Sequence, residues 1–187
     1  MDKIIELRIH GRGGQGAKTA GQIIAEAALD NGKHIQAFPE YGPERTGAPM
    51  KTYVRISNSE IKTYSPVINP DIVMVIDPTL IGQIDVTSGM TDNDVLIVNT
   101  TRSSDKIKEK TGFNGKIYTV DATEISINHL GKNLPNTPMI GALIKVTGVV
   151  EMDFLIERVK NTFLDKIGEE KTNANIASIK QAYEEVK

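Results

Sequence analysis

The feature that most constrains this chain is a glycine loop near its start. Ile4 to His10 (Ile-Ile-Glu-Leu-Arg-Ile-His) is β-branched and partly alternating, which reads as a strand. It runs directly into Gly11-Arg12-Gly13-Gly14-Gln15-Gly16-Ala17-Lys18-Thr19. Thr19 to Asp30 then places Ile23, Ile24, Ala27 and Ala28 on one face of a helix, with Gly32 to close it. Strand, tight glycine turn and helix in that order open a βαβ unit, so an α/β fold is expected.

Three readings of the loop compete. Gly11, Gly13 and Gly16 match the G-x-G-x-x-G spacing of a dinucleotide loop, in which a helix N-terminus offers N–H groups to a pyrophosphate. A NAD site also needs a carboxylate at the end of the second strand, about 20 residues on. Gln36-Ala37-Phe38-Pro39 offers none before Glu40. The Walker A pattern fails by one position, because Ala17 stands where its lysine belongs and Lys18 is turned about 100° around the helix. What remains is a turn that only packs helix on sheet, a loop that binds some other anion, or one that docks against a partner's cofactor.

The 187 residues suit a single domain, with 1–165 as an α/β body and 166–187 as a C-terminal linker and helix. With 22 Lys plus Arg against 24 Asp plus Glu, the net charge is −2. That balance argues against a nucleic-acid binder, which would show a basic excess. Apolar runs such as Ile72 to Ile76 hold about five residues where a membrane span needs about 20. Met1 to Glu6 lacks the basic and apolar regions of a signal peptide, so a soluble, cytoplasmic protein is expected. The chain has no cysteine, which excludes a disulfide, a nucleophilic thiol and a thiolate-held zinc or iron–sulfur centre. His10, His34 and His129 are scattered, and none shares an i, i+4 spacing that would present a metal with a ligand pair.

Along the chain, His34 to Phe38 reads as a short strand closed by Pro39. Met50 to Ser57 and Glu60 to Tyr64 read as a hairpin-like pair joined by Asn58-Ser59. Ile72 to Ile76, Val95 to Val98 and Lys116 to Val120 are strands of a sheet covered on both faces. Thr79–Ile84 and Ser103–Lys110 are short helices or loops between them. Thr137 to Gly148 reads as a buried helix begun by Pro138, and Asp153 as the N-cap of a helix through Phe163. Gly168 to Asn175 reads as an exposed linker. A last helix then carries Ile176, Ile179, Tyr183 and Val186 on one stripe, to be packed on its own domain or docked to a partner. The expectation is a Rossmann-like, mostly parallel mixed sheet with helices on both faces and a helical C-terminal extension.

A second constellation spans Phe38 to Pro49, where two glycines and three prolines in 12 residues make a stiff, irregular loop. In a doubly wound sheet it belongs beside the glycine loop at the carboxyl edge, where ligands gather. The candidate binding residues are therefore Gly11, Gly13, Gly14, Gln15, Gly16, Tyr41, Glu44, Arg45 and Thr46. A solvated loop whose Glu44 and Arg45 are surface charges is the competing reading.

Gly11-Arg-Gly-Gly-Gln-Gly16 followed by Tyr41-Gly-Pro-Glu-Arg-Thr-Gly-Ala-Pro49 resembles the gamma subunit, or gamma domain, of the pyruvate:ferredoxin oxidoreductase family of 2-oxoacid oxidoreductases. Pro70 to Asp77 resembles that family's central strand, and Asn136-Thr-Pro-Met-Ile-Gly-Ala142 its late helix. The resemblance implies a complex that oxidatively decarboxylates a 2-oxoacid with coenzyme A, giving acyl-CoA, CO2 and reduced ferredoxin. It implies alpha, beta and delta (ferredoxin-like) partner subunits that carry thiamine diphosphate with Mg2+ and the iron–sulfur clusters, with no catalytic residue on this chain. Relatives acting on 2-oxoglutarate or indolepyruvate often read Arg-Gly-Gly where this chain has Thr46-Gly47-Ala48. The form here resembles the pyruvate type first and the 2-oxoisovalerate type next.

Overall fold

The β-branched run after Lys3 forms β1 (Ile5–Arg12), and the glycine turn delivers α1 (Ala17–Asp30). The computed structural model describes residues 3–41 and 47–187. Beyond α1 come β2 (His34–Tyr41), β3 (Pro49–Ser57), β4 (Ile72–Val75), a 3-10 turn (Pro78–Leu80), β5 (Val95–Asn99), α2 (Ser104–Thr111) and β6 (Lys116–Val120). Four helices complete the order: α3 (Ala122–Leu130), α4 (Asn136–Thr147), α5 (Met152–Ile167) and α6 (Glu169–Glu185).

The sheet order is β2-β3-β1-β4-β5-β6. β3 runs antiparallel to both of its neighbours, while β1, β4, β5 and β6 pair in parallel. The mixed, mostly parallel sheet is thus present, but the hairpin partner differs from the sequence reading. β3 pairs with β2 and not with 60–64, which forms no strand. With β1 on one side and β2 on the other, β3 has no free edge for a third strand. β2 also runs on through Pro39, which lies opposite Thr52. A proline is tolerated there because β2 is an edge strand, where the missing N–H interrupts no second ladder.

Alternation along the strands separates two cores. Leu7, Ile9, Val54, Ile56, Ile72, Met74 and Ile97 face α1, α4, α5 and α6 in the larger one. Val73, Val75, Leu96 and Val98 face Leu80, Ile107 of α2 and Phe113 in the smaller. Helices therefore cover both faces.

The C-terminal third departs from the sequence reading in three places. α3 was not foreseen, although Asp121 accepts from Glu124 N at 3.0 Å as its N-cap and Gly131 closes it at φ 65°. Asp153 lies inside the first turn of α5, one residue past Met152, with Glu151 at the cap. The expected 168–175 linker is helical from Glu169 onward, and Gly168 alone breaks the chain. Its polar residues bond back to their own helix, Thr172 Oγ to Gly168 O and Asn175 Nδ2 to Lys171 O, both at 2.8 Å. They can therefore be buried without an unsatisfied group. The α6 stripe packs inward, with Ile176 and Ile179 buried. Gly141 of α4 lets the α6 backbone come so close that a Cβ there would collide with the Ile179 carbonyl. Lys187 and Thr119 exchange backbone hydrogen bonds of 2.8 and 3.1 Å, capping the outer edge of β6.

Candidate functional site

From β1 the chain passes through α1 to β2 and β3 on one side, then crosses to β4 on the other. The carboxyl end of β1 is therefore the point at which strand order reverses, where open α/β sheets bind ligands. Gly11 to Gly16 lie there. Gln15 N donates to Arg12 O at 3.0 Å, closing the turn, and Gly14 and Gly16 take left-handed φ values of 95° and 78°. Gly11 leaves room for the helix, since a Cβ on it would stand 3.3 Å from that of Ala17. Ala17 is buried as the first residue of α1, so no Walker-type lysine could occupy that position.

The second loop returns to the first. Gly13 N donates to Ala48 O at 3.0 Å, and Gly47 N donates to Gly13 O at 3.1 Å. These bonds continue the β1–β3 ladder past its last pair, Arg12 with Pro49. The sequence expectation that the two constellations share one edge thus holds for Gly47 to Pro49. Tyr41 ends β2 by its backbone. The roles foreseen for Glu44, Arg45 and Thr46 concern residues outside those described.

A polar network, not foreseen from the sequence, holds the loops in place. Arg12 Nε donates to Asp77 Oδ2 at 3.1 Å, its Nη1 to Gly47 O at 3.1 Å, and its Nη2 to Thr79 Oγ and Gln83 Oε1 at 3.1 and 2.8 Å. Gln15 folds under the loop, accepting from Arg12 N at 2.7 Å and donating to Asp77 Oδ2 at 2.7 Å. Thr79 donates to Asp77 Oδ1 through both N and Oγ, at 2.9 and 2.6 Å. Burial alone would raise the Asp77 carboxyl. The hydrogen bonds from Thr79 and Gln15 and the Arg12 charge outweigh burial and hold it below the ordinary carboxylate value. The signal for Asp77 was visible: a carboxylate before Pro78 at the end of a wholly apolar strand sits at the carboxyl edge by construction.

α4 closes the site from the helical side. A Cβ on Gly16 would lie 2.6 Å from Asn136 Nδ2, so the first residue of α4 packs on the cap of α1. Both helix N-termini therefore meet at the glycine loop. α1 has no acidic residue in its first turn and no side-chain cap, so nothing within the helix itself offsets its N-terminal potential. The arrangement can receive an anion. It lacks the crevice of a NAD site, because β3 separates β1 from β2, and Glu40 on β2 accepts from Tyr53 OH at 2.5 Å.

The family profile described as pyruvate ferredoxin/flavodoxin oxidoreductase matches residues 6–185. The chain is 48% identical to the pyruvate synthase subunit PorC of Thermotoga maritima, covering 99% of this chain and 96% of that protein. It is 43% identical to the common gamma subunit of the pyruvate/ketoisovalerate oxidoreductases of Pyrococcus furiosus, covering 97% and 96%. The crystal structure of the Thermotoga maritima pyruvate oxidoreductase subunit superposes with a TM-score of 0.89 at 46% identity, covering 99% of this chain and 98% of that one. With the profile spanning nearly all its residues, the chain belongs to the pyruvate ferredoxin/flavodoxin oxidoreductase family.

Proposed function

We propose that this chain is the gamma subunit of an assembly that oxidatively decarboxylates pyruvate with coenzyme A to acetyl-CoA, CO2 and reduced ferredoxin, 2-oxoisovalerate being the next substrate in line. The observation that carries the reading is likeness to gamma-type subunits over their whole length, 96% of both the Thermotoga maritima and Pyrococcus furiosus proteins. The assembly works in the cytoplasm with alpha, beta and delta subunits. Thiamine diphosphate, Mg2+ and the iron–sulfur clusters sit on those partners, since a chain without cysteine has no thiolate to hold a cluster. A free-standing nucleotide-binding protein is the weaker reading, because neither the ribose carboxylate nor the phosphate lysine is in position.

This chain's part is to bind and orient. The glycine loop and the Tyr41–Pro49 loop form one wall of the coenzyme A site, with Gly14 and Gly16 presenting backbone and Arg45 a guanidinium to the phosphates, while Gly11 and Gly13, engaged with β3 and Gly47–Ala48, shape the turn. The backbone bonds between Gly13 and Gly47–Ala48 support this, because they hold Gly47 and Ala48 beside the glycine loop, where the α1 and α4 N-termini meet. The Arg12–Gln15–Asp77 network holds the glycine loop and Gly47 of that wall in place.

The test is Arg45→Ala in the reconstituted complex. An apparent KM for coenzyme A raised about tenfold with assembly intact is the expected result. Loss of subunit association would make the loop a docking element instead, and unchanged kinetics and assembly would sink both roles.

A further inference from the structure

We infer that the pocket between the 3-10 turn and α2 is a phosphate-binding site, distinct from the glycine loop, in which Arg102 and Lys110 grip a phosphoryl group. The pocket measures about 290 Å3 and opens at the carboxyl ends of β4 and β5, on the same sheet edge as the loop. Arg102 and Lys110 both line it and are both exposed. Among the described residues, neither forms an ion pair with a carboxylate, whereas the nearby Glu109 is taken by Lys106 at 3.1 Å.

The two cations thus line one concavity, and among the described residues neither is spent on an ion pair. Ile107, buried, forms an apolar wall that weakens solvent screening inside. Thr100 Oγ accepts from Arg102 N at 3.1 Å, which ties the Arg102 backbone to the pocket wall and leaves the Thr100 hydroxyl its own proton to donate. Thr79 adds no donor, because its proton goes to Asp77. Lys110 also borders the neighbouring hollow of the 81–87 loop, where Asp85 accepts from Thr87 N and Oγ at 3.0 and 2.8 Å. Asp105 in the first turn answers the α2 dipole, so selection for an anion rests on the two side chains.

A planar guanidinium with two parallel N–H donors, a point-charge ammonium and one hydroxyl make a donor set that suits tetrahedral phosphate. The phosphate can belong to a coenzyme or be free. The site has its own residues and does not rest on the coenzyme A reading of the glycine loop.

The test titrates the full-length 15N-labelled chain at low ionic strength with inorganic phosphate and, separately, with coenzyme A. Phosphate should move the amide signals of residues 100–110. Arg102→Gln and Lys110→Gln should each weaken it about tenfold or more, as loss of a charge-assisted hydrogen bond implies. Lys108→Gln, on the same helix outside the pocket lining, should bind like the parent. Coenzyme A weakened by the same two variants names the coenzyme as the source; phosphate alone weakened names free phosphate. No shift at 100–110, or equal weakening by Lys108→Gln, overturns the site. Because the readout is phosphate binding by this chain alone, a failed Arg45→Ala experiment leaves it standing.

Discussion

Two buried side chains at the residue scale give the fold separate pH dependences. His10 is fully buried, its Nε2 accepts from Arg8 Nε at 3.0 Å, and its Nδ1 has no partner among the described residues. Burial first, then the charges of Arg8 and Lys51, push its pKa down to about 3. Between that value and the 6.5 of an unfolded chain, the unfolded state binds the extra proton, so stability is full above pH 6.5 and falls as pH drops. Asp77, held below 3.8, contributes stability that is present above that pH and is lost only as pH falls further. The windows barely overlap. Thermal melts of the parent should show stability falling by about 2–3 kcal/mol between pH 7 and 4.5 from His10 alone. His10→Gln should flatten that slope. Asp77→Asn, which sets an amide against the Arg12 and Gln15 donors, should cost about 2 kcal/mol at pH 7 and leave the slope intact. A parent and a His10→Gln variant with the same slope would refute the assignment.

At the scale of elements, what was legible followed from periodicity, and what was missed followed from pairing. The apolar runs of β4 and β5 declare themselves because strands covered on both faces need such residues throughout, while the edge strand β6 keeps only part of the pattern. The choice of hairpin did not, since alternation in Glu60 to Tyr64 cannot report that both edges of β3 are already taken. The glycine loop was legible as a loop and as a place. Its clamp was not, because Arg12 and Asp77 meet across 65 residues. The polar residues of 168–175 suggested a linker because bonding back to the same helix leaves no mark in composition. Gly141 tests the α4–α6 contact. Gly141→Ala keeps helix propensity or improves it, yet its methyl meets the Ile179 carbonyl, so overpacking should prevail at about 1–3 kcal/mol. Chemical denaturation measures it, and a stabilised variant would show that the two helices can part without cost.

For the whole molecule, the division of labour leads to one further expectation. The helices on the larger core turn most of their apolar residues inward, α6 included, although Ile127 of α3 and Leu164 and Ile167 of α5 remain exposed. What the fold offers outward is a polar edge of anchored loops, together with a few exposed apolar side chains such as Tyr64 and Ile68, 83% and 71% accessible. Oxidative decarboxylation needs a one-electron relay, and this chain has no cysteine to hold a cluster that could serve as one. Purified alone, the chain should therefore reduce no viologen dye with pyruvate and coenzyme A, and should carry no stoichiometric iron after anaerobic reconstitution. Activity should appear only when the partner subunits are added, and should track the amount of this chain until one equivalent is bound. Turnover by the chain alone would place the chemistry on residues that the fold shows engaged in holding the loops. Full activity of the partners without it would reduce its role to packing.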